Sequence, residues 1–160
     1  MSWITRAAVL TGLVVAAVLS TGTAAASAPV PCAGTVQLTG TSNLSVEQAG
    51  PQVVVEFDFT GLHDLCLADG SVVTGTVSGH LVQRTSADGD LSIRFDEILS
   101  FGGGTLGYRG EAALANGTWQ SHVQTVGAGT GPLAGILGHG EFWFTGPASL
   151  GDVISYVYAP

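Results

Sequence analysis

The stretch "LSIRFDEIL", residues 91–99, alternates in polarity, with Leu91, Ile93, Phe95 and Leu99 on one face and Ser92, Arg94 and Asp96 on the other. Glu97 falls on the apolar face. A carboxylate so placed is withdrawn from water and must find a partner, such as an arginine or a hydroxyl. Carboxyl groups in apolar cavities suit proton transfer near neutral pH, which makes Glu97 the candidate general acid or base. The alternative is a glutamate at a strand end beyond the core, or one turned outward by a β-bulge.

The chain has four histidines, His63, His80, His122 and His139, with no His-x-His or His-x-x-x-His spacing. A metal site would have to be assembled by the fold, with Asp64 or Glu141 adding an oxygen ligand; no metal motif and no cofactor is implied. "TWQSH" and "GHGEF" invite a histidine and serine pairing, but Ser121 and Ser155 lack a nucleophile elbow and an oxyanion loop. Arg94 and Arg109 are placed to pair with carboxylates on neighbouring strands, Asp96 and Glu111 sharing their faces; such wet pairs contribute roughly 0–1 kcal/mol. An arginine clamp for an acidic ligand is the sharper alternative.

Trp119, Phe142, Trp143, Phe144, Tyr156 and Tyr158 gather towards the C-terminal half. Strand aromatics commonly pack the core or each other across strands. If the interior is not filled, Trp119, Phe142 and Tyr156 are where an apolar ligand would stack.

Cys32 and Cys66 are the only cysteines. In an exported chain an even count reads first as a disulfide, and closing a loop of about 35 residues would stabilise the fold by roughly 3–4 kcal/mol. Export is read from the N-terminus, where Arg6 precedes an apolar run from Ala7 to Leu19 and the small-residue stretch "STGTAAASAP". Ala24-x-Ala26 favours cleavage before Ser27, leaving residues 1–26 as a secretory signal peptide and 27–160 as a single secreted domain. The run is shorter than the ~20 apolar residues of a membrane span and is followed by no stop-transfer charges. Four arginines, no lysine and twelve carboxylates give a formal net charge of −8. Nucleic acid is an unsuitable partner, because its binding requires clustered cations.

Beyond the leader, nearly every segment repeats with a period of two between glycine or polar turns, so the chain is all-β. Strands are expected at 35–46, 52–61, 72–84, 91–99, 105–114, 118–126, 140–145 and 153–158. Short turns such as "SADGD", "FGGG" and "ANG" make an antiparallel meander the simplest topology. About eight such strands close as a barrel or split into a β-sandwich. Gly75, Gly79, Gly107 and Gly110 inside strand patterns favour the barrel, since glycine permits the bends or bulges of closure. In "GTGPLAGILGHGEF" the alternation fails. Pro132 can open a helical turn and Gly135 can end one, giving a plug or hairpin corner that tucks Leu133, Ile136 and Leu137 inward. A phosphate cradle would need a longer helix and usually a lysine.

That glycine-rich segment, the aromatic "FWF" after it and the terminal "ISYVY" resemble the C-terminal part of the allene oxide cyclase and dirigent-like barrels, including small bacterial relatives of uncharacterised function. The resemblance covers the last quarter of the chain. It implies an eight-stranded antiparallel barrel whose interior, in some relatives, binds an apolar substrate and guides its cyclisation or coupling. No functional residue of that family is carried over, and the leader departs from cyclases of this type, which look cytoplasmic.

The expected function is binding of a small apolar molecule in a secreted barrel, or a non-catalytic extracellular role. The alternative is a cofactor-independent cyclase or isomerase using Glu97. A third reading is an extracellular interaction module whose outward aromatic residues form a homo-oligomeric or partner surface.

Overall fold

The computed structural model describes residues 28–158. The expected signal peptide lies outside the described residues. Eight strands form: β1 (Val30–Ala49), β2 (Gln52–Cys66), β3 (Val72–Ser86), β4 (Leu91–Phe101), β5 (Gly104–Ala115), β6 (Thr118–Val126), β7 (Ile136–Gly146) and β8 (Ser149–Tyr158). Each pairs antiparallel with the next, and β1 returns to β8 from Val30↔Tyr156 to Gln37↔Ser149, closing the barrel. The expected all-β antiparallel barrel is thus the fold, and the sandwich is not. Two tight turns have a direct sequence cause. Gly102 and Gly103 (φ 59° and 81°) join β4 to β5, and Asn116 and Gly117 (φ 51° and 75°) join β5 to β6. Two successive positive φ values suit hairpin turns whose twist matches that of the strands, and glycine and asparagine adopt them most easily.

Several strands exceed their expected bounds. β2 runs on to Cys66 instead of stopping at Gly61, and β8 begins at Ser149 instead of Val153. The added residues include His63, Asp64, Gly151 and Asp152, which locally read as breaks but are held by continuous pairing to β1, β3 and β7. Register shifts fall at Leu38/Gly40 and Ser42/Ser45 in β1 and at Phe144/Gly146 in β7, not at the four strand glycines expected to provide bulges. At Gly79 the missing side chain makes room for an aromatic ring instead, since a Cβ there would come within 2.5 Å of Phe59 Cζ.

One end of the barrel carries a disulfide between Cys32 and Cys66, with S–S 2.03 Å and Cα–Cα 5.7 Å. The same end is plugged by a single 3-10 turn, Gly131–Leu133, tied to β5 through Thr130 N donating to Thr105 O at 2.8 Å. Leu133 and Ile136 are buried as expected, but Leu137 is 53% exposed. Once β7 begins at Ile136, strand alternation turns the next residue outward. Among the described residues, no helix is long and apolar enough to cross a membrane.

Candidate functional site

Alternation places one histidine and two carboxyl side chains inside the barrel. In β4, Ile93, Phe95, Glu97 and Leu99 are buried while their neighbours face solvent. Glu97 is 4% exposed, so it is an inward residue and not a strand-end one. In β2, Phe59, Gly61, His63 and Leu65 take the inward phase, and in β8, Leu150, Asp152, Ile154 and Tyr156 do. His63 and Asp152 are therefore delivered by the same periodicity that delivers their apolar neighbours.

The three groups meet. His63 Nδ1 lies 2.8 Å from Glu97 Oε1, and His63 Nε2 lies 3.0 Å from Asp152 Oδ2. The partner found for Glu97 is thus an imidazole, not the arginine or hydroxyl expected. Asp152 is fixed on its other side, its Oδ1 accepting from the Gly34 backbone N–H at 3.1 Å. Gly34 permits this approach, because a Cβ there would stand 2.7 Å from Asp152 Oδ1 and 2.9 Å from the Asp64 carbonyl oxygen. Both ring nitrogens of His63 face carboxylate oxygens, and only the imidazolium donates from both. Burial alone would lower the imidazole pKa, but the hydrogen bonds to Asp152 and Glu97 and the charges of both outweigh it and raise it to about 10.

The His63 ring packs 5.1 Å, centroid to centroid, from that of Tyr108, whose hydroxyl is 2.9 Å from the Tyr156 hydroxyl. Both phenols are buried, and burial pushes their pKa values up, so each stays neutral and able to donate. Tyr156, expected to stack on a ligand, belongs to this inner pair.

Towards the end away from the disulfide, the barrel holds a cavity of ≈ 220 Å³. Phe57, Phe59, Leu81, Phe95 and Leu150 supply much of its wall, the β7–β8 turn at Pro147 and Ala148 borders it, and Glu97 is its charged lining residue. That turn is pinned by Leu38 N donating to Ala148 O at 2.8 Å. Trp119 and Phe142, the other ligand-stacking candidates, stand behind the wall. Phe142 packs edge-on against Phe95 at 5.1 Å, and Trp119 packs against Phe144 at 5.7 Å. Trp119 Nε1 also donates to Phe142 O at 3.0 Å, across the join between β6 and β7. The three aromatic candidates therefore do not form one binding face, and Phe57, Phe59 and Phe95 take the position beside the cavity.

The remaining candidates are dispersed. His80, His122 and His139 are exposed. Among the described residues no three His, Cys, Asp or Glu side chains converge as metal ligands. His63 joins two carboxylates, but they approach opposite nitrogens of its ring, so the three share no common centre. Ser121 Oγ donates to Phe142 O at 2.6 Å and accepts from Phe142 N at 3.0 Å, which commits it to closing the β6–β7 join. Arg94 pairs with Glu111 and Arg109 with Asp96, both at 2.7 Å on the outer surface.

Tyr108 and Asp152 are the site residues that sequence reasoning missed, and His63, considered there as a metal ligand, pairs with two carboxylates instead. Each had a readable signal, being in phase with apolar residues of its own strand: His63 with Phe59 and Leu65, Tyr108 with Leu106, and Asp152 with Leu150 and Ile154.

No protein-family model matches the chain, and no curated protein matches it. Among solved structures, a protein with unknown function from the DUF3224 family of Shewanella oneidensis MR-1 superposes with a TM-score of 0.57. The match has 15% identity and covers 82% of this chain and 98% of that one. At that identity the likeness shows a shared barrel fold.

Proposed function

We propose that this chain is exported, loses its leader, and binds a small, largely apolar molecule inside the barrel. The observation that carries this reading is the cavity of ≈ 220 Å³ walled by Phe57, Phe59, Leu81 and Phe95, with one carboxylate, Glu97, to orient the guest. Ligand sites have this make-up, a mostly apolar concavity with few polar groups, and a volume below the roughly 300–1,000 Å³ of drug-sized pockets suits a fragment-sized molecule. The disulfide is compatible with an extracellular location. The resemblance of the C-terminal segment to allene oxide cyclase and dirigent-like barrels, some of which take apolar substrates inside, supports the same reading.

Fragments of that size, screened by saturation-transfer NMR against the wild type and a Leu81→Trp variant that fills the cavity, test it. Saturable binding to the wild type, lost in a folded Leu81→Trp protein, is expected. Absence of binding, or equal binding to both proteins, would contradict an interior site.

A second reading, a cofactor-independent isomerase or cyclase, is favoured by Glu97 lining the cavity while hydrogen-bonded to His63. A carboxylate so held is oriented to take a proton from a bound carbon acid. With a turned-over ligand in hand, Glu97→Gln should abolish turnover and keep the fold; retained activity would remove Glu97 from the mechanism.

A further inference from the structure

We propose that the guest is a small cationic amphiphile, an apolar amine whose ammonium group sits against Glu97 and whose hydrocarbon fills the aromatic end of the cavity. This rests on the interior-binding reading above and names its ligand class. The first support is a count of charge inside the barrel. Glu97 and Asp152 bring two carboxylates, and His63, facing one with each ring nitrogen, donates to both and brings one positive charge. Tyr108 and Tyr156 bond to each other and add none. The arginines of the described residues do not offset the balance: Arg84 is exposed, while Arg94 and Arg109 are half-exposed and paired with surface carboxylates. The barrel interior therefore sets two carboxyl groups against one imidazole, and a guest's cation placed beside them would meet a charge-complementary acceptor.

The second support is position. Asp152 is engaged on both oxygens, by His63 and by the Gly34 N–H, whereas Glu97 is the carboxylate that lines the cavity. A cation entering the cavity therefore meets Glu97. The third is the wall, where Phe57, Phe59, Phe95 and Phe144 offer aromatic surface to the hydrocarbon of such a guest. The net charge of −8 draws cations to the protein before they enter.

Three compounds with one skeleton separate the possibilities: 3-phenylpropylamine, 3-phenylpropan-1-ol and 3-phenylpropionate, titrated calorimetrically at pH 7 into the secreted, oxidised protein. The amine should bind about tenfold or more tighter than the alcohol, and the carboxylate should not bind. Glu97→Gln should abolish the preference for the amine over the alcohol. Alcohol binding equal to or tighter than amine binding, with both lost in Leu81→Trp, would overturn the amine assignment and leave the interior site standing. Saturable binding by none of the three would overturn both. The wild-type series decides between these outcomes even where Glu97→Gln does not fold.

Discussion

Between pH 6.5 and about 10 the folded chain should hold one proton more than the unfolded chain, and that proton sits on His63. The folded-state pKa is the higher of the two, so unfolding releases the proton in this window and stability falls as pH rises. The contribution is fully present below pH 6.5 and is lost as pH passes through about 10. A gap of about 3.5 pH units at about 1.4 kcal/mol per unit corresponds to about 5 kcal/mol, a large share of the 5–15 kcal/mol typical of a domain. Urea unfolding of the oxidised protein at pH 6, 7, 8, 9 and 10 reads the loss. With a slope of about 2 kcal/mol per molar urea, the midpoint should fall by roughly 2–3 M across the series. The nitrogen-15 shifts of the His63 ring, followed over the same range, assign it: both nitrogens should remain protonated at pH 8. A flat midpoint from pH 6.5 to 9, or a neutral-tautomer pattern for His63 at pH 8, would refute the argument that two carboxylates hold the imidazolium.

Gly34→Ala should destabilise the protein by about 2–4 kcal/mol, because its Cβ would displace Asp152 from both the Gly34 N–H and His63; the urea midpoint checks this. Replacing Cys32 and Cys66 together by serine opens a link across 34 residues and should lower stability by about 3–4 kcal/mol, matched by the wild type under reductant. Leu133→Ala hollows the plug at the disulfide end and should lower stability by about 2–5 kcal/mol in thermal unfolding. Fragment binding at the other end of the barrel should survive that change.

The barrel was legible because a period of two and glycine-marked turns are local signals, and β6 occupies the expected Thr118–Val126. The position of Glu97 was legible for the same reason, as one polar residue in an unbroken alternation. Its partners were harder to see. His63 and Asp152 lie 89 residues apart in sequence, in parts of β2 and β8 where glycines and charged residues read as strand ends. Only closure of β8 onto β1 brings them to one place. The aromatic candidates were chosen by type and clustering; all three are inward in phase, but those criteria do not determine which part of the interior each ring fills. Phe57 and Phe59, in the strand read most clearly, line the cavity, while Trp119 closes the β6–β7 join and Tyr156 pairs with Tyr108.

The most direct test of an interior binding site is a crystal structure of the oxidised protein with the tightest-binding fragment from the screen. The account predicts density for that fragment between Phe59, Leu81 and Phe95, within hydrogen-bonding distance of the Glu97 carboxylate. A fragment held on the outer surface, with those side chains and the β7–β8 turn filling the interior, would contradict it.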